Sequence, residues 1–174
     1  MDPDKGETVI LPNMLTWNHV PIKAILEKEF ETLVIVEKDN YASILYLKAL
    51  YGNRINNAIV MTIMGGVGCG ILINGAIYRG ADGLAGEIGH VCLGAENDMG
   101  TLENNVSDVA ITKKIIEIKR QKGESVKDHY EIMDAVHDAQ KGDEDCLAVF
   151  EQAKNQVAKA VILLVRLYNP KQIF

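Results

Sequence analysis

The chain has 174 residues, 48% of them hydrophobic, with a mean hydropathy of +0.02, so it can bury a core of ordinary single-domain size. Its net charge of −6 and pI of about 5.2 exclude the globally basic surface that nucleic-acid binding calls for. Three unevenly spaced cysteines, at 69, 92 and 146, give no disulfide framework and fit a reducing compartment, and no apolar run reaches membrane-spanning length.

In chain order, residues 1–7 are acidic and polar without the pattern of a secretory signal, which sets the expectation of a cytoplasmic protein. A short strand is expected from Thr8 to Leu11, broken by Pro12-Asn13. A helix starts at Pro21, with Ile22, Ile25, Leu26 and Phe30 at helical spacing. Leu33 to Val36 reads as a buried strand, and Asn40 to Leu50 as a helix ended by Gly52-Asn53. Ala58 to Ile63 is a second buried strand. Gly70 to Asn74 and Ala76 to Tyr78 flank Asn74-Gly75, a dipeptide suited to a type I′ hairpin turn. One more strand is expected after His90. Helical periodicity then covers Val106 to Arg120, His129 to Gln140 and Asp143 to Leu167. The last of these carries a core stripe of Leu147, Phe150, Ala153, Val157, Ala160 and Leu164. The cationic run from Lys113 to Lys122 contains Glu117 and reads as a solvated helix face. Strands early and helices late predict an α/β or α+β layering.

Two glycine-rich stretches and one aspartate are the candidates for chemistry. Gly80 to His90 holds four glycines with Glu87 and His90 three residues apart. Such a loop brings backbone close to a ligand, and a carboxylate beside an imidazole suits the hydroxyls of a polyol; the alternative is a loop that only turns a corner. Met64 to Gly70 places Gly65, Gly66, Gly68 and Gly70 where backbone amides could cradle an anion, or where a tight strand–turn–strand connection needs no ligand. Asp39 opens a helix, as a capping residue does.

Tyr78-Arg79-Gly80 through Gly86-Glu87-Ile88-Gly89-His90 resembles the sugar-site signature of the ROK family of sugar kinases and sugar-responsive repressors, and Thr62 to Gly75 is similar to that family's phosphate-loop hairpin. The resemblance implies an α/β actin-like ATPase (ribonuclease H-like) fold, two lobes around a cleft. Residues 1–38 would be the C-terminal part of the first lobe, 39–168 most of the second, and 169–174 the start of a return strand. On that mapping the chain is a central piece, without the first phosphate loop. Asp39 matches the general base that takes the proton of a sugar hydroxyl. Lys38 and Tyr41 stand where the family has asparagines, and Met64 and Gly65 where it has a glycine and a hydroxyl residue. Glu87, His90 and Glu103 match sugar contacts, although Glu103 also suits the first turn of a helix. In most of the family His90's counterpart joins three cysteines around zinc; here Thr101 replaces the last cysteine and Cys92 is the one left nearby, so zinc is not expected. Trp17 is expected to pack.

These departures fall on catalytic and phosphate positions. They predict a sugar-sensing effector domain of a ROK-type transcriptional regulator, dimeric, with any DNA contact made by a segment absent here. The alternative is an ATP- and magnesium-dependent kinase of a hexose or N-acetylhexosamine with Asp39 as base.

Overall fold

The computed structural model describes residues 5–9, 15–94 and 100–174. Among them six α-helices, α1 Ile22–Phe30, α2 Asp39–Tyr51, α3 Glu103–Val106, α4 Asp108–Gln121, α5 Ile132–Gln140 and α6 Glu144–Tyr168, accompany one mixed sheet. Its strands, β1 Ala58–Ile63, β2 Val67–Ile73, β3 Ala76–Ile77 and β4 Gln172–Ile173, lie in the order β3-β2-β1-β4. β1 and β2 pair antiparallel from Ala58 opposite Leu72 to Ile63 opposite Val67, and β4 joins β1 in parallel. Asn74 (φ 51°) and Gly75 (φ 78°) are both left-handed, as the expected type I′ turn between β2 and β3 requires.

Strand alternation divides the core. Ala58, Val60 and Leu72 face α2 and pack with Ile44 and Ile55. Ile59, Val67, Cys69 and Ile71 face the other way, into the larger cluster built from Val106, Ile111, Ile115, Ala135, Val149, Ala153, Ala160 and Leu164. On β2 the positions facing α2 are Gly68 and Gly70. A Cβ at Gly70 would overlap the carbonyl oxygen of Asn40, and one at Gly68 would overlap the Asn40 side-chain amide. The first turn of α2 therefore lies directly on the strand. Helix starts are fixed by capping: Ser107 accepts from the Ala110 amide (3.2 Å) at α4, Asp143 from Cys146 (2.9 Å) at α6, and Glu131 with Asp134 forms a reciprocal box at α5.

Several expectations change. Leu33 to Val36 is extended but is no strand, and Leu33 and Ile35 are 79% and 83% exposed. Among the described residues no strand lies beside it, and of the run only Val34 and Val36 are half-buried. The strand expected after His90 reduces to a bridge between Cys92 and Thr101, with the Leu102 amide donating to the Val91 carbonyl (2.8 Å). Of the strand expected over residues 8–11, residues 10 and 11 lie outside the described residues; Thr8 exchanges backbone bonds with Val20 and His19 (3.0 Å each). Trp17 is exposed, not packed. Lys119, expected on a solvated face, is buried and paired with Asp143. Leu147 is exposed, and Cys146 and Val149 take the core positions at that end of α6. No described helix is long and apolar enough to cross a membrane.

Candidate functional site

A cleft of about 780 Å³ opens between the start of α2, the β1–β2 turn, the loop after β3 and the start of α3. Lys38, Asp39, Glu87, His90 and Glu103 line it together with Gly65, Gly66 and Gly68. Residues up to 65 positions apart in sequence (Lys38 to Glu103) thus meet at one surface. Gly70 is not among the lining residues; its place is under α2.

The loop carrying Glu87 and His90 is seated on β2 by backbone. The Cys69 amide donates to the Gly86 carbonyl (2.8 Å), and at Gly86 (φ 90°) a Cβ would overlap the Cys69 carbonyl. Tyr41 pins the same loop from beneath. Its side chain is wholly buried and its hydroxyl donates to the Ala85 carbonyl at 3.2 Å, with that of Gly83 at 3.4 Å. Burial pushes the Tyr41 phenol above its ordinary pKa. The Arg79 guanidinium lies 4.9 Å from the Tyr41 ring centroid and forks onto the Glu37 carboxylate, with one N–H···O distance of 2.9 Å. That bond holds the Glu37 carboxyl below the usual range.

Inside the cleft, Lys38 Nζ donates to Glu87 Oε1 at 2.7 Å, and the other Glu87 oxygen is 3.9 Å from His90 Nε2. Lys38 is the more enclosed partner, its side chain 13% exposed against 42% for Glu87. Asp39 Oδ1 accepts from the Asn40 amide (2.7 Å) in the first turn of α2. Asn40 in turn accepts from the Thr62 hydroxyl, so α2 is tied to β1 at the cleft floor. These groups can accept from and donate to several hydroxyls at once.

The glycine turn is already engaged. The Val67 amide donates to Glu103 Oε2 at 2.8 Å, and the Met64 amide to the Gly66 carbonyl at 2.9 Å. A carboxylate seated on that amide takes up one of the donors that an anion at this turn would use. Toward a structural zinc, the described residues of the stretch after the loop offer His90 and the exposed Cys92, two of the four ligands such a site uses. Residues 95–99, which belong to that stretch, lie outside the described residues. The one three-ligand group among the described residues, Asp138, Asp143 and Cys146, is far along the chain and holds its own partners: Lys119 on Asp143 and Tyr130 on Asp138 (2.8 Å).

Five contributors escaped the sequence reading: Glu37, Asn40, Thr62, Val67 and Leu84 line the cleft. Asn40 and Glu37 flank Lys38-Asp39, so adjacency was the available signal. Tyr41 was read as part of the sugar-facing surface, and the structure corrects this: it is buried beneath the loop, because a helix residue two beyond Asp39 turns toward the sheet and the 83–85 backbone.

An open cleft beside a glycine hairpin, on a sheet with α2 on one face and a helical layer on the other, is the arrangement of an actin-like ATPase domain. The model of the ROK family matches residues 1–174, and the chain belongs to that family. It is 26% identical over 190 residues to the xylose repressor of Caldicellulosiruptor bescii, covering 99% of this chain and 46% of that protein. It is 28% identical over 185 residues to the glucokinase of Thermotoga maritima, covering 98% and 58%. A solved ROK family transcriptional regulator, a homologue of the E. coli MLC protein, superposes with a TM-score of 0.81 at 23% identity, covering 99% of this chain and 46% of that one. A ROK family glucokinase from Streptomyces griseus, in complex with glucose and AMPPNP, superposes with a TM-score of 0.80 at 23% identity, covering 98% and 60%. The chain spans about half the length of the repressors it matches.

Proposed function

We propose that this chain is the sugar-binding effector region of a ROK-type transcriptional regulator and holds a carbohydrate without phosphorylating it. The observation that carries the reading is the Glu103 carboxylate on the Val67 amide, which takes up a donor that phosphate binding would use. Lys38, Asp39, Glu87 and His90 would meet the sugar hydroxyls, and Glu103 would do so with its second oxygen. Gly65, Gly66 and Gly68 would let the ligand approach the turn closely. A regulator needs only to bind its sugar differently in two conformations and can dispense with phosphate chemistry. The protein would work in the cytoplasm as a homodimer, with DNA contacted by residues beyond these 174.

Kinase activity is the second reading, favoured by one feature. Asp39 lines the cleft beside the glycine turn, where a general base would lie within about 3 Å of a bound hydroxyl. ATP and magnesium belong to this reading alone.

Pentoses, hexoses and N-acetylhexosamines, offered to the full-length protein with and without ATP and magnesium, separate the two. At a hundred times Kd a ligand stabilises by about 2.7 kcal/mol, several degrees in Tm for a chain of this size. A sugar that raises Tm without ADP release supports the sensor. ADP release abolished by Asp39→Asn establishes the kinase and overturns it.

A further inference from the structure

Charge is unevenly distributed over the cleft. Its lining carries four carboxylates, Glu37, Asp39, Glu87 and Glu103, against one ammonium, Lys38, and the neutral-or-cationic His90. Two carboxylates are answered: Arg79 forks onto Glu37, and Lys38 holds Glu87 at 2.7 Å. Among the described residues no lysine or arginine pairs with Asp39 or Glu103, which are held by the amides of Asn40 and Val67. Each carboxylate keeps lone pairs beyond the one its amide uses. The cleft therefore presents two uncompensated negative charges at its glycine-turn side, inside a chain of net charge −6.

From this we infer that the pocket sorts sugars by charge. A sugar carrying a free amine binds more tightly than its hydroxyl parent, and a uronate or phosphorylated counterpart binds more weakly than either. The inference rests on the sugar-binding reading above. A hydroxyl donates to Asp39 or Glu103 as a neutral partner, whereas an ammonium adds attraction in a cleft that concentrates the field. A phosphate or carboxylate would face these same groups with like charge, and the Lys38 charge that would offset it is already shared with Glu87. Lys38 is thus the residue that limits the discrimination: among the described residues it is the only lining ammonium, and it cancels one carboxylate.

The test uses matched series of glucose, mannose and galactose, each as parent, 2-amino sugar, uronate and 6-phosphate, measured by calorimetry at low salt and near-neutral pH. For whichever parent binds, the 6-phosphate and uronate are expected at least about tenfold weaker, roughly one 1.4 kcal/mol step, and the amino sugar several-fold tighter. Raising salt flattens the series, and Lys38→Met steepens it. A flat series at low salt, or one in which the phosphate or uronate binds best, overturns the charge rule while leaving sugar binding intact. Silence across every series, and toward the pentoses and N-acetylhexosamines as well, overturns the sugar-binding reading itself and this inference with it.

Discussion

Tyr41 holds the loop that carries Glu87 and His90 by one hydroxyl bond and by a ring packed under Arg79 and Lys38. Tyr41→Phe removes the bond and keeps the ring. Loss of a single such bond costs about 1 kcal/mol, a few degrees in Tm, and leaves the Ala85 carbonyl seeking water. Amide hydrogen exchange in residues 80–90 is expected to quicken in this variant, with α4 to α6 unchanged. Equal protection of the loop in both proteins would show that the hydroxyl anchors nothing. The pairing of Lys38 with Glu87, 49 residues away, belongs to the same scale and was not legible in the sequence. A helix start and a glycine loop each announce themselves locally, but which charges meet depends on how the two are seated. The same holds for Tyr41, whose departure from the family asparagine was visible while its burial was not.

Seating of α2 on β2 depends on the strand glycines. Gly70→Ala would drive a methyl into the Asn40 carbonyl, a backbone atom that cannot swing aside, so the helix must shift. Overpacking of this kind costs about 1–3 kcal/mol. Gly65→Ala, which meets nothing within 4 Å, is the control and should stay within about 0.5 kcal/mol of the parent. Urea midpoints of the two variants check this, and equal midpoints would remove the packing role. Elements whose pattern is complete within themselves were readable: β1, the Asn74-Gly75 turn, and the helical runs, though not the caps Ser107 and Glu131 that start α4 and α5. Leu33 to Val36 was not, because an apolar run becomes a strand only when another strand lies beside it. The start of β2 was also missed, since glycines alternating with Val67, Cys69 and Ile71 look like loop until a helix is laid over them.

Across the whole molecule two of the ion pairs join elements that lie far apart in sequence. Glu37 and Arg79 tie the approach to α2 to the loop after β3, and Asp143 and Lys119 tie α6 to α4. The folded positions of these carboxyls differ from their ordinary values in the same sense. Asp143 is held down to about 2 by Lys119, and Glu37 is held down by Arg79. A depressed carboxyl stabilises fully above its unfolded pKa and loses that contribution as pH falls toward the folded one. For these groups the loss begins below ordinary values of 3.8 and 4.5 and, for Asp143, is complete near 2. Lys119 is raised by the same partner, so its share is lost only as pH climbs past 10.5. Between those limits neither pair changes, and Tm should owe them no slope. On the acid side Glu37→Gln with Asp143→Asn should shrink the fall in Tm between pH 5 and 2, since both variants keep side-chain shape and asparagine still caps α6. The comparison is made within that interval, so any fall common to both proteins is assigned to other carboxylates. An acid limb of undiminished depth in the double variant would mean that the pairs order the layers without stabilising them.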